Sequence, residues 1–201
     1  MARRDRRRKD VAHAAGGTPA TSELHEAAVP FTEHEYAHDP RATSYGLEAA
    51  QALGLDPAVV FKTLLLSVEG MTAAAPGGAG QSPGQLLGQS PGQGSGHGSG
   101  AGLGVVVLPV DTSVDLKAAA TAFGGKRPAL ADPAAAQRST GYVVGGISPF
   151  GQKRRLPTVL DESAQQHPAI YVSGGRRGYD LGVAPDDLVR VLGARVAAIA
   201  R

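Results

Sequence analysis

FKTLLLSV at residues 61–68 and LGVVVLPV at 103–110 decide how this chain folds. Both are short, almost wholly apolar and rich in Val and Leu, and Gly and Pro punctuate their surroundings. Runs of that length and composition read as buried β-strands, because a buried helix needs a longer stretch. The segment between them has another character. Residues 70–104 hold thirteen glycines in 35 positions, and from Met71 to Gly104 there is no Asp, Glu, Lys or Arg. The string GQSPGQ occurs at 80–85 and again at 88–93, a repeat too short and too polar for a solenoid. Such a composition cannot bury enough apolar surface to offset its ordering entropy. The segment 70–104 is therefore expected to be a flexible insert standing where a hairpin turn would be.

Working outward, residues 20–28 (ATSELHEAA) suit a short helix capped by Thr21 or Ser22, and 31–36 alternate as a strand does. SYGLEAAQALG at 44–54 suits a helix ended by Gly54. Beyond the second apolar run, VDLKAAATAFG and DPAAAQRS suggest two helices. GYVVGGISPFG, LPTVLD, AIYVSGG and YDLGV are strand-like runs broken by Gly and Pro. PDDLVRVLG is a helix with Pro in its first turn, and ARVAAIA a final strand. The sum is an α/β (α+β) fold: one compact domain over 18–201, with a central mixed, largely antiparallel sheet flanked by helices.

Composition excludes several functions. The 201 residues include no cysteine, so a disulfide framework, a thiol nucleophile and Cys-ligated zinc are all ruled out, which fits a reducing compartment. Apolar runs fall well short of the roughly 18 residues of a membrane span. MARRDRRRKD is not followed by an apolar stretch, so no secretory signal is expected, and the reading is cytoplasmic. The net charge of +2 hides a strong asymmetry. Residues 1–10 sum to +4, 11–116 to −8, 117–177 to +6 and 178–201 to zero. The first 17 residues read as a disordered basic tail, and the +6 segment as a footprint for a polyanion.

Few motifs carry chemistry. HEYAH at 34–38 satisfies the H-E-x-x-H zinc pattern, but it sits between Pro30 and Pro40 in a strand-like context. A strand holds positions i and i+4 too far apart for one metal, so an edge strand and polar loop are expected. Lys62 is the only Lys between positions 10 and 116 and lies within an apolar run. An ammonium there must meet an anion or a polarised carbonyl, unless it simply faces solvent across a half-buried strand. GGISPFGQKRR at 145–155 and SGGRRG at 173–178 combine Gly-rich bends with basic residues, suited either to a tight turn or to holding phosphates. No Ser-His-Asp arrangement is visible. An enzyme built this way works by positioning and electrostatics.

VFKTLLLSV, DPAAAQRSTGYVVGGISPFGQKRRLPTVLD and IYVSGGRRGYDL together resemble the YbaK family of aminoacyl-tRNA deacylases, and within it the free-standing Cys-tRNA(Pro) deacylase branch. The likeness covers residues 18–70 and 103–201; the tail and the insert depart from the family pattern. It implies a small domain that hydrolyses the ester of a mischarged tRNA with no cofactor and no metal. Lys62 would be the essential lysine, near the terminal adenosine or its phosphate. The G-x-x-x-P loop maps onto Gly145 through Pro149 and would cradle the substrate carbonyl, with Gly145 catalytic. Tyr36, Thr63, Gly146, Pro149, Ser173 and Asp180 would bind substrate, and Lys153, Arg154, Arg155, Arg176 and Arg177 the tRNA. In this branch the substrate's own thiol attacks its ester and leaves as a cyclic thiolactone. Prolyl-tRNA synthetase is the implied candidate partner. Two alternatives stay open: a deacylase for another small aminoacyl group such as Ala-tRNA(Pro), and a tRNA- or synthetase-binding module without turnover.

Overall fold

The computed structural model describes residues 17–73 and 101–201. The expected basic tail and residues 74–100 of the expected insert lie outside them. The two apolar runs form Val60–Glu69 (β2) and Ala101–Pro109 (β3), paired antiparallel from Phe61 opposite Pro109 to Glu69 opposite Ala101. They are the two arms of one hairpin. Ala101–Gly104, assigned to the insert on composition, pair as strand residues. The reason is a partner: opposite Leu66, Gly104 is packed so tightly that a Cβ there would meet the Phe123 ring at 2.5 Å.

Around this hairpin the chain adds Phe31–Glu35 (β1), Lys126–Leu130 (β4), Thr158–Asp161 (β5), Ile170–Arg176 (β6), Tyr179–Val183 (β7) and Arg195–Ala197 (β8). The order is β1-β7-β6-β2-β3-β5-β8, with β4 pairing the far half of β2. Pairs β1–β7, β6–β7, β2–β3 and β2–β4 are antiparallel, whereas β2–β6, β3–β5 and β5–β8 are parallel. The sheet is mixed, as expected.

Alternation along β2 and β3 divides the core. Phe61, Leu65, Val105 and Val107 point to a face covered by Pro19–Glu26 (α1), Pro133–Thr140 (α4) and Pro185–Leu192 (α5). Leu66, Val68, Val106 and Leu108 point to the other face, under Leu116–Ala122 (α3). Tyr45–Leu53 (α2) packs Ala49 and Ala50 against Val60 and Val110. None of the described helices is long and apolar enough to cross a membrane.

Two local expectations change, and one strand had no counterpart in the sequence reading. The first helix begins at Pro19 and is capped by Thr18, whose side chain accepts from Thr21 N, so Thr21 is the N3 partner of a capping box. KRPAL at 126–130 is a strand although its two cations and proline conceal it; it pairs only with β2, so Pro128 interrupts no central ladder. GYVVGGISPFG at 141–151 is a loop and not a strand. Gly141, Gly145 and Gly151 adopt φ of +82°, +87° and +62°, three left-handed bends in eleven residues that break any regular strand. Local bonds satisfy the buried part: Tyr142 donates its hydroxyl to Phe150 O at 2.9 Å, and Gly151 N donates to Glu23 Oε2 at 2.6 Å.

Candidate active site

Six consecutive residues of β2, Val60–Leu65, line one cavity of about 380 Å³. Side chains of a strand alternate between faces, so an unbroken lining is possible only where a strand edge is open. The pairing explains why. β3 takes one edge of β2 along its length, whereas the other is shared: β6 pairs at Val60 and Phe61, and β4 from Leu66 to Glu69. Between them, among the described residues, that edge is held by one bond, Ala131 N to Leu65 O at 2.9 Å. The cavity occupies this gap.

Lys62, Thr63, Tyr36, Gly145, Ser173 and Asp180 all line it, so one site collects residues spread over 145 positions of sequence. Lys62 is half-buried, not on a solvent face, and Nζ donates to Val110 O at 3.2 Å and to Thr112 O. The ammonium thus meets carbonyl dipoles. Burial lowers its pKa, with Asp111 opposing. Asp180 is 5% exposed, and burial without a compensating cation pushes its carboxyl up to about 6. It pairs with Ser173 across β6–β7 and with His34 across β1–β7. Burial and the nearby Asp180 carboxylate push Tyr36 up to about 12. Thr63 Oγ1 and Ser173 Oγ are buried and have no hydrogen-bond partner among the described residues. Two orphaned hydroxyls in one cavity mark places where a ligand atom belongs.

The glycine-rich loop contributes unequally. Gly145 lies in the lining, whereas Gly146 sits behind it, so close to Arg176 that a Cβ would meet its backbone at 2.9 Å. Pro149 lines a second cavity of about 280 Å³, together with Glu23, Lys153 and Arg155. The G-x-x-x-P loop therefore spans two cavities and does not wrap one. The basic residues also separate. Arg177 lies behind two residues of the first cavity's lining, donating to Val144 O at 2.9 Å with its guanidinium 4.9 Å from the Tyr45 ring centre. Arg176 pairs with Glu35 and covers Tyr179 at 4.3 Å. Arg155 pairs with Glu23 at 2.8 Å, and the backbone amides of Lys153 and Arg154 close the last turn of α4.

Sequence reasoning missed Tyr45, Leu130 and Val144, which also line the first cavity. Leu130 and Val144 are 61% and 37% exposed, an apolar rim that no periodicity announces. The HEYAH histidines do not converge. His34 on β1 bonds Thr32 Oγ1 at 2.8 Å, and His38 in the following loop pairs with Glu48 at 2.9 Å. Among the described residues no cluster of three metal-ligating side chains forms.

Comparison with known proteins agrees with this geometry. The aminoacyl-tRNA editing domain matches residues 96–191. A protein of Enterococcus faecalis named as a Cys-tRNA(Pro)/Cys-tRNA(Cys) deacylase, EbsC, is 30% identical over 182 residues, spanning 90% of this chain and 92% of the relative. Two solved structures share the fold. The hypothetical protein APE2540 has a TM-score of 0.68 at 21% identity, covering 92% of this chain and 100% of its own. A protein described as a trans-editing enzyme for prolyl-tRNA synthetase has a TM-score of 0.64 at 22% identity, covering 91% and 95%. With a site built of positioned polar groups around an open strand edge, and with relatives along nearly its full length, the chain belongs to the aminoacyl-tRNA editing family and is an aminoacyl-tRNA deacylase.

Proposed function

We propose that this deacylase removes cysteine from tRNA, Cys-tRNA(Pro) first and Cys-tRNA(Cys) second, by letting the substrate's thiol attack its own ester. The observation that carries the reading is the state of the hydroxyls in the cavity. Among the described residues no base is hydrogen-bonded to Thr63 Oγ1 or Ser173 Oγ and no histidine lines the cavity, and the chain has no cysteine. A serine or threonine nucleophile needs an adjacent base, so the nucleophile is best sought in the substrate. The deacylase from E. faecalis supports cysteine, since its name specifies that amino acid.

In that reaction the cysteinyl sulfur bonds to the ester carbonyl carbon and the bond from that carbon to the ribose oxygen breaks. The ribose oxygen ends with the proton the thiol gives up, and the cyclic thiolactone leaves to hydrolyse in water. Attack within one molecule needs orientation above all, which a positioned site supplies. Backbone groups of the loop at Gly145 polarise the carbonyl. The Asp180 carboxylate pairs with the α-ammonium, and Ser173 and Tyr36 complete that end. Lys62 lies toward the terminal adenosine and its phosphate. Arg176 and Arg177 hold the acceptor end near the cavity, and Lys153, Arg154 and Arg155 track the tRNA backbone further out. Because tRNA(Pro) is charged by prolyl-tRNA synthetase, that enzyme is the partner, and the cytoplasm is where the work is done.

The test is a deacylation panel of Cys-, Ser-, Ala- and Pro-tRNA(Pro) with the native chain and Lys62→Ala. Cysteine should be released fastest, serine hardly at all, and Lys62→Ala should be inactive with its fold intact. Full activity of Lys62→Ala, or release of serine at the rate of cysteine, overturns the reading.

A further inference from the structure

We infer that the open edge of β2 is itself a binding element: the peptide N–H and C=O of Thr63 pair with the substrate's ester carbonyl and α-ammonium, taking the aminoacyl group as a one-residue strand. This rests on the chain's activity toward aminoacyl-tRNA and not on the choice of cysteine.

The direction of the Thr63 peptide groups follows from alternation. Val60 O accepts from Val110 N at 2.9 Å, so the even-numbered residues of β2 turn their peptide groups toward the β3 side. Leu65 O accepts from Ala131 N at 2.9 Å, so the odd-numbered ones turn theirs toward the gap. Thr63 is odd, and it lies midway along the unpaired stretch.

Both neighbouring strands stop short for visible reasons. Continuing the β4 register past Leu66 opposite Leu130 would place Pro133 opposite Thr63. Proline has no N–H to offer, and here it opens α4. On the other side, continuing from Phe61 opposite Val172 would place Gly174 opposite Thr63. There β6 bends: its pairing with β7 shifts between Ser173 and Arg176, and Gly175 turns to φ +102°. The Gly174 carbonyl is taken by Thr18 Oγ1 at 2.6 Å.

What remains is a slot one residue long in a sheet, with backbone donor and acceptor facing the cavity. Thr63 is half-buried and lines the cavity, so peptide groups turned from the sheet into that space are open to an occupant that can pair with them. Thr63 Oγ1 and Ser173 Oγ, unpartnered among the described residues and belonging to the same lining, give a second, independent sign of the same thing. An α-aminoacyl ester matches it. Its nitrogen and its carbonyl oxygen are spaced as in any residue of a chain, so they fit as a paired strand residue would. This is strand addition reduced to a single residue. The slot meets only atoms shared by all α-aminoacyl groups. It therefore orients the ester without choosing the side chain, which falls to the rest of the cavity.

Amide hydrogen exchange tests this directly, on the full chain. In the free protein the Thr63 amide should exchange about tenfold or more faster than those of Leu64 and Leu66, which face β3. Saturation with 3′-alanylamino-3′-deoxyadenosine, whose amide link resists deacylation, should slow Thr63 by about tenfold or more. The cysteinyl counterpart should do the same. The propionyl counterpart, which lacks the α-amino group, should bind about tenfold more weakly. Protection by the alanyl but not the cysteinyl compound would remove cysteine as substrate and leave the slot standing. A Thr63 amide already protected in the free protein overturns it. So does one that neither compound slows, or equal binding of the propionyl compound.

Discussion

The ring of Tyr45 lies flat on the backbone of Gly145: a Cβ built there would sit 2.8 Å from two of its carbons and 2.9 Å from a third. Tyr45 opens α2 and Gly145 bends the loop after α4, so this contact joins two walls of the cavity. Arg177 adds to the joint, reaching over the same ring and bonding to Val144 O.

Gly145→Ala should therefore fail twice over. The left-handed φ of +87° costs a side-chain-bearing residue roughly 1–2 kcal/mol, and the added methyl must also displace the Tyr45 ring. Gly54→Ala is the control: its φ is +66°, but nothing lies within 4 Å of the added carbon. Denaturation should show Gly145→Ala losing more stability than Gly54→Ala, and only the former should lose deacylation. Equal losses in the two variants would mean that the Tyr45 contact is unimportant.

Much of this site was legible because one residue broke a pattern. Lys62 stands out as a lone cation in an apolar run, and it does reach a cavity. Gly145 is marked by the glycine-rich bend. The gap that makes the cavity was not legible. It depends on β4, whose Lys-Arg-Pro start carries no alternating signal because the strand is exposed nearly throughout. Tyr45 was equally silent. Its ring packs on a residue 100 positions away, and nothing in local sequence encodes that distance. The loop at 141–151 misled in the opposite sense. Its apolar residues alternate like a strand, but Phe150 is buried by a turn and side-chain bonds, with Ser148 Oγ accepting from its N–H at 3.2 Å.

Glu48 should control the wall that carries Tyr36 and Tyr45. Its carboxylate accepts from His38 Nδ1 at 2.9 Å and from the Asp39 N–H, and its side chain is only 13% exposed. Glu48→Ala leaves the Asp39 N–H without an acceptor, a loss of roughly 1–3 kcal/mol. With the wall loosened, KM should rise more than kcat falls, because the reacting groups on β2 and β6 stay in place. Urea denaturation and steady-state deacylation measure both. A collapse of kcat with KM unchanged would show instead that Glu48 acts at the reacting centre.

Metal removal should change nothing. His34 on β1 and His38 in the loop beyond it have separate partners in Thr32 and Glu48, and among the described residues neither belongs to a cluster that could hold an ion. Dialysis against EDTA should leave the deacylation rate unaltered. Inhibition that zinc alone reverses would restore the HEYAH motif to a functional role.

Asp180 should set activity and stability against each other. Burial raises its folded-state pKa from 3.8 to about 6. Between those values the folded chain holds a proton that the unfolded chain has released, so stability falls as pH rises from about 4 to about 6 and then levels. At 1.36 kcal/mol per unit the buried charge costs roughly 3 kcal/mol at neutral pH. Asp180→Asn removes that charge at nearly the same volume. It should be more stable than the native chain at pH 7 and draw level with it below about pH 3, where the native carboxyl is protonated in both states. The same change deprives the α-ammonium of its counter-ion, so deacylation should fall sharply while melting temperature rises. In the native chain kcat/KM should climb through pH 6 as Asp180 ionises, and Asp180→Asn should lose that limb. A variant less stable than native at both pH values would show that the carboxylate is held by hydrogen bonds, with burial no longer the ruling effect.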